Sequence, residues 1–369
     1  MYRDAWLKID LDAFKDNIKT IIERSNKKLI AIIKADAYGC GSKTIYKAAL
    51  EAGVSMFGVS SLEEALILRD AGCTADILIL GYVGSENIDI VKENDFTLTT
   101  VSIEWIQEFV KNDCSNIKIQ IKIDTGLNRI GLKGKEELKE ALNLLENANF
   151  KIEGIFTHFA CSDKDYGVKT KMQYESFLEI LNSVNYDFKW IHCSNSDASM
   201  NLIDNVSNAT RVGISLYGLN TYHKDLKIVV SLLCKMIHVK TVNKGETISY
   251  GADYTCEKDE IIATVPIGYA DGWNKKNKDR SVYVEDCEAK IVGRVCMDQM
   301  MIKLEKFKPV GTLVELFGNN LPIEKVAKEL DTTPYEVLTV LSDRLTRVYF
   351  ENGEYLLNIN PRLNRGEKI

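Results

Sequence analysis

Eight short runs of β-branched and aliphatic residues, set about 20 to 40 positions apart, constrain this chain more than any other feature. They are LIAIIKA (29–35), MFGVSS (56–61), DILILGY (76–82), FTLTTVS (96–102), KIQIKID (118–124), IEGIFTHFA (152–160), KWIHCSNS (189–196) and ATRVGISLYG (209–218). Near-continuous apolar runs suit parallel strands buried on both faces, and the spacing leaves room for a helical return after each. Amphipathic stretches fill several gaps. LDAFKDNIKTII (11–22) puts Leu11, Phe14, Ile18, Ile21 and Ile22 on one face, and SLEEALILRDAG (61–72) and KEELKEALNLLENA (135–148) read the same way. Eight strand–helix units predict a closed (β/α)8 TIM-like barrel, an α/β fold; an open doubly wound sheet is the competitor.

After residue 220 the texture changes to strand-like alternation, in LCKMIHVKTVN, EIIATVPIGYADG, SVYVEDCEAKIVGRVCMDQMMIKL and TLVELFG. One helix is predicted over 322–345, and the Asn-Gly of ENGE (351–354) predicts a hairpin turn. The expected division is a barrel over 10–222 and a mainly β domain over 223–369, joined by an N-terminal strand from 1–9. With no low-complexity linker between the two, the seam is expected to be packed.

Composition narrows the function classes. The 369 residues are 45% hydrophobic and carry a formal charge of -6 with both signs interleaved, so no basic face for nucleic acid is expected. The longest aliphatic runs, such as IVVSLLC (228–234), are too short to span a bilayer, and the N-terminus lacks an apolar signal core. A cytoplasmic protein with no membrane partner is expected. Nine cysteines form no CxxC pair and only four histidines occur, His158, His192, His223 and His238, so neither disulfide staples nor a metal site is expected.

In a barrel the reactive groups gather at the carboxyl ends of the strands. Those ends supply Lys34 and Tyr38, then Lys122, Asp124 and Arg129, then His158, then Asn195 and Ser196, then Arg211 and Gly213. Lysine is seldom fully buried without a partner, and among cations it loses its proton readily. The free amine can then form a Schiff base with an aldehyde, and pyridoxal 5′-phosphate is the aldehyde that most often sits in such a site. Its phosphate needs donors near the last two strands, where Ser196 and RVGIS stand. Singly, each residue has a duller reading: Lys34 as a snorkelling side chain, His158 as a core histidine, Arg211 as half of a structural ion pair. The case rests on their occurring together and in order.

The chain resembles the alanine racemases, fold-type III pyridoxal-phosphate enzymes, from end to end. The resemblance rests on AWLKIDLDAF (5–14), AIIKADAYGCG (31–41), FGVSSLEEALILRDAG (57–72), KIDTGLNRIG (122–131), GIFTHFACSD (154–163), CSNSDA (193–198) and TRVGISLYG (210–218). It continues through ISYGADYT (248–255), ATVPIGYADGW (263–273), GRVCMDQMMI (293–302) and DRLTRVY (343–349). It implies that Lys34 carries pyridoxal phosphate and is one catalytic base, with Tyr250 of the partner subunit in a homodimer with composite sites as the other. It implies that Arg211 bonds the pyridine nitrogen, that Tyr38, Ser196, Gly213, Ile214 and Tyr349 hold the phosphate, and that His158 lies close to the cofactor and Tyr250. Arg129 would bond the phenolic oxygen and help seat the substrate carboxylate, with Met297, Tyr269, Cys296 and Asp298 completing the substrate pocket. Lys122 matches a position carbamylated in some members.

The chain departs from the family pattern at Asp36, where asparagine is common, at Cys40, where histidine is common, and at Thr346, where many members have proline. None of these is an implied catalytic position. Tyr349 and Tyr269 narrow the implied pocket to a methyl group, so the expected activity is the interconversion of L- and D-alanine, supplying D-alanine for peptidoglycan. The alternatives are a serine/alanine racemase of the same fold, a fold-type III decarboxylase and a non-catalytic pyridoxal-phosphate carrier.

Overall fold

The computed structural model describes residues 2–162, 167–202, 204–220, 225–363 and 365–368. The chain forms two compact units, one of Phe14–Ala37 and Ser42–Lys227, the other of Met1–Ala13, Tyr38–Gly41 and Ile228–Ile369. The boundary expected at 222/223, and His223 beside it, lie outside the described residues.

Strand β1 (Ala5–Asp10) belongs to the second of these units, and α1 (Leu11–Ser25) leads from it into the first. The first unit is a nearly closed barrel. Its strands are β2 (Lys28–Ile32), β3 (Met56–Val59), β4 (Ile77–Ile79), β5 (Thr97–Thr99), β6 (Lys118–Lys122), β7 (Lys151–Phe156), β8 (Trp190–His192) and β9 (Ala209–Val212). Each pairs in parallel with the next as far as β8, and β9 returns to pair with β2, Ile30 opposite Arg211. What rules out the open sheet is that the two edge strands of this order, β8 and β9, also meet. Between β8 and β9 two backbone bonds stand in for a ladder, Asn208 N–H to Ile191 O and Arg211 N–H to Ser194 O, both 3.0 Å. Ile30, Ile32, Met56, Leu78, Trp190 and Ala209 pack together as one buried cluster.

Among the described residues helices follow six of the strands: α2 (Ser42–Glu51), α3 (Leu62–Asp70), α4 (Ile88–Glu93), α5 (Ile103–Phe109), α6 (Gly134–Asn147) and α7 (Val168–Leu181). After β8 and β9, where helices were expected, the described residues form only 3₁₀ turns, Ala198–Met200 and Ile214–Tyr217. The stretch after β8 is rich in Ser, Asn and Asp, whose side chains bond nearby backbone and compete with helix. Asn195 Oδ1 accepts from Ala198 N–H at 3.2 Å and Asp204 Oδ1 from Ser207 N–H at 3.0 Å.

Among the described residues the second unit is built on an 11-stranded sheet. In it β1 lies between β10 (Val230–Lys235), antiparallel, and a late strand, Thr346–Glu351, parallel. The intervening strands are β11 (His238–Val242), the short pair β12 (Thr247–Ile248) and β13 (Tyr254–Thr255), β14 (Glu260–Val265), β15 (Ser281–Val284), β16 (Cys287–Val292), β17 (Met300–Leu304) and β18 (Leu313–Phe317). The late strand, β19, turns into β20 (Glu354–Asn360) through Asn352 (φ 53°) and Gly353 (φ 79°), the left-handed pair an Asn-Gly hairpin requires. The single helix expected over 322–345 is two short ones, α8 (Ile323–Glu329) and α9 (Pro334–Thr339). Asp331 turns left-handed (φ 56°), and Pro334 has no N–H to continue the first helix but suits the first turn of the second.

Candidate active site

In the barrel unit the carboxyl-end residues converge on Arg211. Its side chain comes from β9, where the residue is only 3% exposed. One terminal nitrogen, Nη1, donates to His192 O (2.9 Å) and faces His192 Nδ1 (2.6 Å). The other, Nη2, donates to Thr157 O (2.6 Å) and Cys193 O (3.0 Å) and faces His158 Nδ1 (3.2 Å). Arginine has no acceptor, so His192 Nδ1 must be the unprotonated, accepting nitrogen, whereas the two Nη2 hydrogens already go to carbonyls and the contact to His158 Nδ1 is a third, shared one. His192 Nε2 then carries the proton and donates to Gln120 Oε1 at 2.7 Å. Burial, and then the charge of Arg211, hold both imidazoles far below the ordinary histidine pKa. Burial lowers Arg211 too, to about 10, which leaves it charged at neutral pH. Among the described residues nothing accepts from Arg211 Nε, so one donor of a guanidinium otherwise committed to the barrel is available to a ligand.

A second cation stands beside it. Lys122, buried at the end of β6, donates from Nζ to Ile123 O (2.8 Å). Burial, then the charge of Arg211, brings its pKa down to about 7 against the pull of Asp124. The Phe156 ring lies under both cations, 5.7 Å from Lys122 Nζ and 5.1 Å from Arg211 Cζ, and stacks on His192. Asp124 is committed to its own loop: Oδ1 accepts from Gly126 and Asn128 N–H, both 3.0 Å, and so shapes the segment that carries Arg129. Burial pushes that carboxyl up, but these N–H groups outweigh it and leave it below its ordinary value.

Lys34 lies just beyond β2, two residues past the strand's end, not within it. Its side chain is exposed, yet the protein packed around it, and then the charge of Arg129, keep its ammonium below the usual lysine pKa; Glu64 pulls the other way. Four left-handed residues follow, Ala35, Asp36, Ala37 and Tyr38, with φ between 51° and 55°. None is glycine, and left-handed helical backbone costs an L-residue roughly 1–2 kcal/mol. Strain of this kind collects where a side chain must be aimed. Ser196, after β8, accepts at Oγ from Gly213 N–H (3.0 Å). The N–H groups of Ile214 and Ser215 open the 3₁₀ turn and have no partner within it.

The second unit assembles its own group. Tyr250 is 73% exposed at the tip of a strained turn, in which Ser249 has φ 72° and Gly251 φ 74°. Gly293 is required beneath it, since a Cβ there would lie 2.7 Å from Ser249 Cβ. Tyr250, Cys296, Met297 and Asp298 line one groove of ≈ 880 Å³; Tyr269 does not. Its loop is nonetheless tied to theirs, because Tyr269 and Ala270 N–H donate to Cys296 O and Met297 O, both 3.0 Å. At Gly268 the loops touch so closely that a Cβ would meet those carbonyl oxygens at 2.3 and 2.4 Å. Fully buried Asp271 accepts from Gly268 N–H and pairs with Arg3 at 2.5 and 2.6 Å, while Arg344 pairs with Asp298 at 2.6 Å. Tyr349, buried on β19, donates to Cys40 O (2.8 Å), and Arg347 Nε donates to Gly39 O (2.9 Å). Tyr38 lies against the Tyr335 ring at 6.1 Å.

These two groups stand in blocks that known proteins share. The model of the alanine racemase N-terminal domain matches residues 9–221 and that of the alanine racemase C-terminal domain residues 229–349. The chain belongs to the alanine racemase family. It is therefore an enzyme of the isomerase class. Alanine racemase 1 of Bacillus subtilis is 40% identical over 377 residues, covering 98% of this chain and 97% of that protein. The crystal structure of alanine racemase from Bacillus anthracis, with bound L-Ala-P, superposes at TM-score 0.94, 38% identical over 99% of this chain and 100% of that one. The alanine racemase of Clostridium difficile 630 follows at TM-score 0.92, 34% identical, over 98% and 99%. Among the described residues no helix is long and apolar enough to cross a membrane.

Sequence reasoning singled out Lys34, Lys122, Arg129, His158, Ser196 and Arg211 from strand ends alone. It passed over His192, Gln120, Glu64, Arg3, Asp271 and Gly268. Gln120 and Lys122 had a visible signal: polar residues two apart in an otherwise apolar strand point to the same face. Arg3 and Asp271, 268 positions apart, had none.

Proposed function

We propose that this enzyme interconverts L- and D-alanine, with pyridoxal 5′-phosphate held on Lys34 and with Lys34 and Tyr250 of the partner subunit as the two bases. The observation that carries the reading is Arg211: a permanent cation, saturated by barrel carbonyls and two neutral imidazoles, with Nε left to donate, near a lysine whose proton is easily lost. That set fits pyridoxal phosphate. Lys34 would hold its carbonyl carbon, Arg211 its pyridine nitrogen, Arg129 its phenolic oxygen, and Ser196, Gly213, Ile214, Tyr38 and Tyr349 its phosphate, with His158 alongside. When bound, the cofactor supplies an electron sink that acidifies the substrate's Cα–H bond.

The residues of the chain do the rest. Racemisation removes the Cα proton from one face and returns one to the other, and a single fixed base does not reach both faces. Lys34 Nζ serves one face and the Tyr250 hydroxyl of the partner subunit the other. An ordinary tyrosine, with pKa near 10, is a poor base at neutral pH. A nearby cation favours its phenolate; Arg211 is charged, whereas His158 is held neutral. Arg129 and the backbone N–H of Met297 take the substrate carboxylate, beside Cys296 and Asp298, and Tyr269 and Tyr349 confine its side chain to a methyl group. The working assembly is a cytoplasmic homodimer with two composite sites, and its product serves peptidoglycan synthesis.

Circular dichroism of an L-alanine solution tests this. The wild-type protein is expected to abolish the signal, and Lys34→Ala and Tyr250→Phe to leave it standing. A purified mixed dimer of the two variants recovers about one site of two. Full specific activity in a monomeric fraction would sink the composite site, and release of CO2 would redirect the reading to a decarboxylase. The ratio of kcat/KM for L-alanine to that for L-serine decides the substrate, because a tight apolar pocket rejects an added hydroxyl only weakly.

A further inference from the structure

The four left-handed residues behind Lys34, Ala35 to Tyr38, include no glycine to make the turn easy, so side-chain acceptors must hold it. Two carboxylates do. Asp36 Oδ1 accepts from Ser42 N–H (2.7 Å), tying the turn to the start of α2. Glu64 reaches from α3: Oε1 accepts from Ala35 N–H, the residue after Lys34, and Oε2 from Ser60 N–H, both at 2.7 Å. Ser60 follows β3, the parallel neighbour of β2, so a single carboxylate bridges two adjacent strand ends at the level of Lys34.

The local sequence makes this arrangement unusual. Ser61 caps α3, its side chain accepting from Glu64 N–H. Ser-x-x-Glu at a helix start ordinarily closes a capping box, with the Glu reaching back to the cap residue's own N–H. Here the Glu64 carboxylate passes over that N–H and takes those of Ser60 and Ala35 instead. A residue that a helix start would spend on itself is given to the backbone beside Lys34.

We propose that Glu64 is a positioning residue: it clamps the left-handed turn behind Lys34 and so sets the direction in which the Lys34 amine is presented. The proposal rests on the reading of Lys34 as the cofactor lysine. Geometry distinguishes it from a plain helix cap. Both partners of Glu64 are donors, so the clamp needs two acceptor oxygens, whereas glutamine serves a capping box as well as glutamate does. The charged or titratable groups that act on the Lys34 amine are Arg129, Glu64 and His158. Of these Glu64 is the one anion, and it favours the ammonium over the free amine.

The test uses the full-length protein, freed of cofactor and then titrated with pyridoxal phosphate. The rate of covalent attachment is read by visible absorbance and fixed to the Lys34 peptide by borohydride. Glu64→Gln is expected to slow attachment roughly 10- to 100-fold, the scale on which a small misplacement of a reacting group acts. Its pH midpoint for attachment should also fall, because the anion that favours the ammonium is gone. Glu64→Asp keeps the charge but is one methylene too short to span both N–H groups. It should slow attachment and leave the midpoint near that of the parent, a split that a purely structural role does not produce. Folding is monitored by far-ultraviolet circular dichroism, and the aspartate variant, the milder change, keeps the test open if the glutamine variant unfolds. A folded variant that attaches cofactor within about two-fold of the parent rate, with an unmoved midpoint, overturns the clamp. A parent protein that forms no borohydride-stable link at Lys34 instead sinks the reading of Lys34.

Discussion

At the barrel mouth Lys34, Lys122, Arg129 and Arg211 gather with, among the described residues, no ion pair to a carboxylate; around Asp271 and Asp298 every arginine has an acidic partner. The barrel satisfies its central cation with backbone carbonyls and imidazole nitrogens, while the β unit satisfies its central anion with guanidinium groups and one N–H. Carbonyl dipoles balance a cation without cancelling its charge, so the first site remains positive, suited to an anionic, electron-accepting ligand. Ion pairing cancels charge, so the second works as a neutral brace that fixes loops. Two ways of burying charge thus correspond to two tasks, electrostatics and positioning.

Arg211→Ala should break this contrast most severely. It strips donors from three buried carbonyls and the His192 ring, at about 1–3 kcal/mol for each group left unpaired. A loss of several kcal/mol is expected in urea unfolding, and His192 should become able to take up a proton, seen as a rise in its NMR titration midpoint. Arg3→Ala comes next. Asp271 would keep Gly268 N–H and a longer contact to Arg344 at 3.5 Å, so about 2–3 kcal/mol is expected, less than for a fully abandoned buried charge. A greater loss for Arg3→Ala than for Arg211→Ala would reverse the ranking of the two regions.

Lys122 sharpens the comparison through pH. Its folded pKa, about 7, lies below the ordinary value near 10.4. Between those values the unfolded chain binds a proton that the folded chain does not, so stability rises with pH across that window. Thermal melts from pH 7 to pH 10 should show the rise, and Lys122→Met should flatten it. A wild-type slope of zero would mean that the amine is not free to titrate, as a carbamylated lysine would not be. The smallest effect belongs to Tyr250→Phe, whose exposed ring should leave stability within about 0.5 kcal/mol while abolishing racemisation.

Much of this architecture is written locally. Each of the eight barrel strands coincides with a β-branched run, and the Asn-Gly turn falls where the dipeptide stands. Lys34, Arg129, His158, Ser196 and Arg211 were singled out because a barrel places strand ends on one rim. Where the reading failed, composition misled. The 322–345 stretch has helical periodicity, but Pro334 breaks it, and the Ser/Asn/Asp-rich stretch after β8 bonds its own backbone instead of coiling. The left-handed turn is marked in the sequence only at its end, by Gly39 (φ 81°), since Ala35 to Tyr38 include none of the glycines with which turns of that hand usually advertise themselves.

By itself the sequence determined the alternation of strand and helix, the change of texture after residue 220, the lysine at a strand end and the family to which the chain belongs. These depend on periodicity and on short blocks, in which neighbours in the chain are neighbours in space. Only the tertiary structure decided that Arg211 is met by two neutral histidines, that Arg3 neutralises Asp271 and that Glu64 bends away from its own helix to hold the turn behind Lys34. Those partners lie 19 to 268 positions apart. No local pattern carries such pairings, because they arise only when folding brings a donor and an acceptor together away from water, where leaving either one unpaired costs more than the bond itself gains.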